Sequence, residues 1–299
     1  MAYENEISLK SYCKVNLLLK ILSKREDGYH NLSMINQCVS LYDEIKLRKN
    51  LSGASKINTI GLDIKNEDNI VYKLIDYLNN NITHISVDIE IKKNIPDKAG
   101  LGGGSSNCGS VLKALNKIYN LNMDINQMIN ISKNLGADVP FFIYEGTAVV
   151  KGIGDEIYPI KSPTYYYVII KPDISFDTKK AYNKYDKLNY IQKIDLYEKF
   201  CDKIDNNFIL SKEFIKEECC NDFEKLFVSK YPVIDELKNA LIASGAFYSQ
   251  LTGSGSCVFG IFETEETSES AYKNLKKIYK NIFKCKTVSD SFKLGGDIG

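Results

Sequence analysis

Between residues 95 and 108 the chain reads Ile-Pro-Asp-Lys-Ala-Gly-Leu-Gly-Gly-Gly-Ser-Ser-Asn-Cys, and no other stretch constrains its folding so strongly. Before it, Ile85, Val87, Ile89 and Ile91 alternate with polar residues, a period of two that predicts a strand. After it, Val111, Leu112, Leu115, Ile118 and Tyr119 recur at helical spacing. A strand must therefore enter a helix through a loop almost without side chains. Glycine lets such a loop turn through positive φ and approach a ligand where a Cβ would clash, and the helix start aims unpaired N–H groups and the positive end of its dipole at the same place. The expectation is a phosphate held by Gly100, Leu101, Gly102, Gly103, Gly104, Ser105 and Ser106; a glycine-rich turn without a ligand is the alternative.

Two common nucleotide motifs are excluded. A Walker loop needs Lys-Ser/Thr after its last glycine, and Gly104 is followed by Ser105 and Ser106. The G-x-G-x-x-G fingerprint fails too: counting from Gly100 or from Gly102 puts Ser105 or Asn107 in the third slot.

The 299 residues suffice for two domains. Lys plus Arg (39) nearly cancel Asp plus Glu (38), so no net field draws the chain to nucleic acid or an anionic membrane, and a phosphate must be held by local groups. Eight scattered cysteines without a C-x-x-C pair, and only two histidines, predict reduced, mostly buried thiols and no metal site. No apolar run reaches the ~18 to 20 residues of a membrane span, and Glu4 and Glu6 stand where a signal peptide would be basic and then apolar. The expected location is cytoplasmic, with no obligate protein partner evident.

Along the chain, residues 6 to 22 predict two strands or one bulged strand, 24 to 31 a turn at Asp27-Gly28, and 33 to 48 a returning strand. Ile70, Val71, Leu74, Ile75 and Leu78 predict a helix over 67–79. A further helix should begin after Asp124 as N-cap and end at Gly136. Residues 137–143 read as a strand, followed by strands at 147–151 and 165–170. The second half predicts helices near 178–203, 222–242 and 264–280 and strands near 246–251, 256–262 and 282–288, an α+β pattern. Lys161, Ser162 and Pro163 mark the expected boundary, giving domains 1–161 and 162–299. Thr252-Gly253-Ser254-Gly255-Ser256 is either a plain hairpin turn or a second surface near phosphate.

Four features stand together: Lys14 in an early strand, Asp27-Gly28-Tyr29-His30, Pro96 leading into Gly100-Leu101-Gly102-Gly103-Gly104-Ser105-Ser106, and Gly136-Ala137-Asp138-Val139-Pro140-Phe141-Phe142. With Asn221-Asp222-Phe223-Glu224 and Leu251-Thr252-Gly253-Ser254-Gly255-Ser256-Cys257, the set resembles the GHMP family of small-molecule kinases over most of the chain. The resemblance implies an N-terminal domain like ribosomal protein S5 domain 2, a C-terminal ferredoxin-like domain, and a cleft for ATP with Mg2+. It also implies transfer of the γ-phosphate to a hydroxyl of a cytidine-diphosphate-linked methylerythritol, a precursor of isoprenoids.

By the same resemblance Asp138 is the catalytic aspartate and Lys14 the lysine beside it, a carboxylate and a cation suited to taking the proton of an acceptor hydroxyl. Asn16 touches substrate, and Tyr29 and His30 meet the cytidine with a second aromatic group, Tyr182. Asn69 approaches adenine, Lys93 approaches phosphate, and no residue is assigned to a metal. Outside this resemblance, Asp138 reads as a turn or cap residue, Lys14 as a solvated strand lysine, and Tyr182 as a packing residue. The chain departs from the family pattern at Ser11 and Cys13, where proline and alanine are usual, and at Asp97-Lys98, where Lys98 adds a charge near the phosphates.

Overall fold

The structure is a computed structural model that describes residues 6–65, 68–188, 208–228 and 230–288. It begins with a long antiparallel hairpin, β1 (Glu6–Lys24) and β2 (His30–Lys49), joined by a turn in which Gly28 takes φ +85°. The expected interruption in the first strand is a set of bulges: register shifts at Tyr12/Cys13, Asn16/Leu18 and Ile21/Ser23 bend one continuous strand. The far edge of β2 is shared. Its N-terminal half pairs β5 (Thr147–Gly152) and its C-terminal half pairs β4 (Val87–Lys92). β3 (Lys56–Ile60) lies parallel to β4, and β6 (Glu156–Pro159) completes a six-stranded sheet beside β5.

Helices α1 (Ile70–Asn81), α2 (Gly103–Ile118), α3 (Ile125–Lys133) and α4 (Val139–Tyr144) belong to this half. Leu74 and Leu78 of α1, Val111 and Leu115 of α2 and Met128 of α3 share one buried cluster with Ile45, Leu47, Ile89 and Ile91 of the sheet. Asp124 caps α3 in a full capping box with Gln127.

The second sheet runs β10-β7-β9-β8, with β7 (Tyr166–Ile170), β8 (Tyr248–Leu251), β9 (Val258–Phe262) and β10 (Ile282–Lys286) all antiparallel. Between β7 and β8 come α5 (Thr178–Tyr185), α6 (Lys212–Glu218), α7 (Glu224–Phe227) and α8 (Pro232–Ala243); α9 (Glu265–Leu275) joins β9 to β10. Order and crossovers make a ferredoxin-like β-α-β-β-α-β unit. Val168 and Ile170 share a cluster with Leu237 and Leu241 of α8, whereas Tyr167 and Ile169 join Cys13, Val15, Leu17 and Ile35. The second sheet thus covers the outer face of the first hairpin, and residues 13 to 19 are buried on both faces. That is why alternation in β1 says nothing about where Lys14 points.

Several expectations are corrected. Residues 137–143 are not a strand: Asp138 is already in the right-handed helical region and α4 follows, with Pro140 near its start, where a missing N–H costs nothing. A short, wholly buried apolar run carries no period, so strand and helix look alike in it. The helix expected over 222–242 is broken into α7 and α8, with Pro232 opening the second. α3 ends at Lys133 with Asn134 as its cap, ahead of Gly136. α2 begins at Gly103, inside the glycine loop. β3 and β6 were not anticipated. Of the helix expected over 178–203, the described part is α5 and a 3-10 turn to Leu188; the remainder lies outside the described residues. Among described cysteines all are free and all but Cys220 are buried, while Cys201 lies outside them. No helix among the described residues is long and apolar enough to cross a membrane.

Candidate functional site

A cleft of ≈ 1380 Å³ opens where α2 meets the first hairpin and the β8–β9 turn. Its floor is the glycine loop. Gly102 caps α2 at φ +69°, and a Cβ there would lie 2.9 Å from the Phe142 ring. Gly100, at φ +77°, is tighter still, since a Cβ would stand 2.1 Å from the carbonyl oxygen of Thr252. Gly103, Gly104 and Ser105 form the first turn of α2, whose N–H groups have no partner within the helix, and all three line the cleft. Leu101 is buried and its carbonyl accepts from the Lys14 backbone at 3.0 Å, tying loop to strand.

Ser106 is the exception among the loop residues. Its N–H returns to the Gly102 carbonyl at 2.8 Å, and its hydroxyl bonds Ser11 Oγ at 2.7 Å and the Tyr12 carbonyl. It is 1 % exposed and does not line the cleft, so it bolts α2 to β1 instead of offering a hydroxyl to a ligand.

At the inner end of the cleft Lys14, 3 % exposed, points its ammonium between two partners. It donates to Asn16 Oδ1 at 2.6 Å and lies 3.7 Å from Asp138 Oδ2. Asn16 is held in turn: its Nδ2 donates to Asn36 Oδ1 at 2.6 Å, and its backbone N–H to Thr252 Oγ1 at 3.0 Å. Asp138 occupies the N-cap position of α4 yet makes no capping hydrogen bond, and it lines the cleft. The chain therefore places this carboxylate at a cap position and turns it towards Lys14.

The outer end is aromatic. Tyr29 is 58 % exposed, whereas His30 is buried with its Nε2 2.6 Å from Asp186 Oδ1. Burial pushes the Asp186 carboxyl up, but hydrogen bonds from Lys24 and His30 outweigh it and hold the group below the usual carboxylate range. Tyr182 stacks on His30 at 4.8 Å and 18° and meets the edge of Phe223 at 5.0 Å and 80°. It packs and also lines the cleft. Burial, and secondarily the Asp138 charge, raise its phenol above the ordinary value.

Asn69 and Lys93 both reach the cleft. Asn69 caps α1 by accepting from the Val71 N–H at 3.0 Å, and Lys93 donates to Asp43 and to Asn107 Oδ1 at 2.9 Å. Lys98 lines the cleft with φ +48°. The second small-residue loop is a hairpin turn and a cleft wall at once: Gly253, Ser254 and Gly255 line the cleft, and Thr252 Oγ1 lies 3.2 Å from the Gly100 carbonyl. Sequence reading missed residues that hold this assembly, above all Asp43 and Asn107. Asn221 also escaped a role: its amide donates to the carbonyls of Leu251 and Gly253 at 2.8 and 2.9 Å. Only distant chain contacts give these residues meaning, and no local pattern announces such contacts.

The chain matches the description "GHMP kinases N terminal domain" over residues 69–146 and "GHMP kinases C terminal" over residues 197–281. It is 39 % identical over 276 residues to a 4-diphosphocytidyl-2-C-methyl-D-erythritol kinase of Thermodesulfovibrio yellowstonii, covering 89 % of this chain and 93 % of the relative. It is 38 % identical to the protein of that name in Clostridioides difficile, over 93 % of this chain and 94 % of the relative. A crystal structure of 4-(cytidine 5'-diphospho)-2C-methyl-D-erythritol kinase superposes with TM-score 0.74 at 25 % identity, over 94 % of this chain and 99 % of the other. A homoserine kinase of Cytophaga hutchinsonii has the same fold, with TM-score 0.71 at 18 % identity over 97 % and 96 % of the two chains. The chain belongs to the GHMP kinase family of small-molecule kinases.

Proposed function

We propose that this kinase transfers the γ-phosphate of ATP to the 2-hydroxyl of 4-diphosphocytidyl-2-C-methyl-D-erythritol, a step in making isoprenoid precursors. GHMP kinases use ATP as phosphate donor. The observation that carries the reading is the meeting of Lys14 and Asp138, 3.7 Å apart beside the glycine loop, in a chain aligned nearly end to end with kinases of that name. The lobes that enclose the cleft are taken as residues 1–161 and 162–299.

In this reading the first N–H groups of α2 hold the phosphates. Asp138 accepts the proton of the acceptor hydroxyl as its oxygen bonds to the γ-phosphorus and the bond to the bridging oxygen of ADP breaks. Lys14, kept in place by Asn16, offsets the negative charge on that oxygen. Tyr29, His30 and Tyr182 receive the flat base of the substrate. Among the described residues no group of three His, Cys, Asp or Glu forms a metal cage. Mg2+ binds through one or two protein groups plus phosphates and would neutralise phosphate charge here; among the cleft-lining oxygens, Ser105 in the first turn of α2 and Asp138 beside Lys14 flank the place proposed for the phosphates and would hold it.

The test is ADP release with the cytidylyl substrate set against homoserine, mevalonate and galactose. Turnover confined to the cytidylyl compound is expected. Preference for another alcohol would replace the proposed acceptor, and turnover with none would leave a nucleotide-binding module.

A further inference from the structure

We propose that Asp43 is a positioning residue for the nucleotide, acting through Lys93; the inference rests on the reading of the cleft as the ATP site. Asp43 is fully buried in β2 and makes no contact with the cleft. Its Oδ1 accepts the backbone N–H groups of Asn94 and Ile95 at 2.8 and 2.9 Å, which fixes the chain as it leaves β4 for the glycine loop. Its Oδ2 accepts from Asn107 Nδ2 at 2.9 Å and from the Lys93 ammonium. One carboxylate thus joins β2, the start of the loop, the cleft lysine and helix α2. Asn107 extends the chain of bonds to Ser11 Oγ at 3.0 Å, and Ser11 to Ser106, so the helix start is pinned to β1 as well.

A buried ion pair is a poor source of stability, because desolvation consumes most of the attraction. This pair makes better sense as a fixture for Lys93. An ammonium has three N–H donors; two go to Asp43 and Asn107, and no further partner among the described residues takes the third. The ammonium sits against the first residue of α2, where a Cβ on Gly103 would stand 3.4 Å from Nζ. A cation at the positive end of a helix is unfavourable by itself. Asp43 holds it there against that repulsion and against the rotamer freedom of a four-carbon stem, so an incoming phosphate meets a lysine and a helix N-terminus already converged.

The experiment is equilibrium binding of a fluorescent ATP analogue, with no acceptor present, to the wild type, Asp43→Asn, Lys93→Met and the double variant. Asp43→Asn is expected to weaken binding by ~10-fold, about 1.4 kcal/mol. In the Lys93→Met background the same change should add no more than about twofold, the coupling that marks residues acting as one unit. Wild-type affinity in Asp43→Asn, or losses that simply multiply, would overturn the proposal. If Asp43→Asn does not fold, Asn107→Ala removes one of the two restraints on Lys93 and should weaken binding by roughly threefold, an effect absent once Lys93 is Met. An unchanged affinity there overturns it equally. Since no acceptor is used, failure to phosphorylate the cytidylyl substrate with nucleotide affinity intact would sink the proposed reaction and leave this inference standing.

Discussion

The two ends of the cleft are built by opposite means. At the inner end every side chain near the proposed chemistry is held by a second one: Lys14 by Asn16, Asn16 by Asn36, and the loop beneath by Thr252. All but Asp138 are buried there. At the outer end Tyr29 stands on an exposed turn and Tyr182 on the short helix α5, joined to His30 by a stacking contact. Positions of reacting groups need definition to fractions of an ångström, which buried hydrogen bonds supply. A flat base needs faces to stack on, and aromatic rings supply those with less positional demand. The inner end should therefore respond to substitution in rate, and the outer end in acceptor affinity.

The sharpest break of that contrast is at Asp138. Asp138→Asn should lower kcat by ~10²- to 10⁴-fold, the usual worth of a positioned base, while the affinity for a fluorescent ATP analogue persists; Lys14→Ala should also be severely impaired. A fall of less than about tenfold for Asp138→Asn would remove it from the role of base.

Next in size is the loop. Gly100→Ala must place a Cβ against the Thr252 carbonyl at positive φ, which costs ~1–2 kcal/mol before the clash is counted. Thermal melting should show a Tm lowered by at least ~3 °C and a raised KM for ATP. Gly104→Ala is the control: its nearest neighbour would be Ile70 at 3.9 Å, and helical Ala is favoured over Gly, so Tm should stay level or rise. Equal melting losses for the two variants would show that the loop is not set by the second turn.

The smallest effect is expected at the outer end. Tyr182→Ala should raise KM for the acceptor roughly fivefold, about 1 kcal/mol of lost stacking, with a smaller change in kcat, and Tyr182→Phe should restore it. A loss confined to kcat would place Tyr182 with the reacting groups and erase the distinction between the ends.

How much of this was legible depended on whether the cause was local. The strand, glycine loop and helix were readable because period and backbone freedom are local properties, as were α1 and the N-cap at Asp124. Residues 137–143 read as a strand because the apolar run 139–143 is buried on every side, which erases the period that separates strand from helix. β3 and β6 escaped because they are short edge strands whose identity comes from their neighbours. Lys14 illustrates the limit most clearly: Cys13 and Val15 on either side are both fully buried, so alternation could assign it no face.

Taken alone, the amino-acid sequence determined the element types, a phosphate loop of neither Walker nor dinucleotide form, and a set of motifs pointing to one kinase family. Tertiary structure decided which of those residues meet. It turned Asp138 from a cap into a partner of Lys14, withdrew Ser106 from the cleft, set the Thr252 turn against the glycine loop, and gave Asp43 and Asn107 work that nothing near them in the chain announces. Contacts across 50 to 236 positions carry those decisions, and such contacts exist only once α2 has packed on the first hairpin and the β8–β9 turn has met the glycine loop.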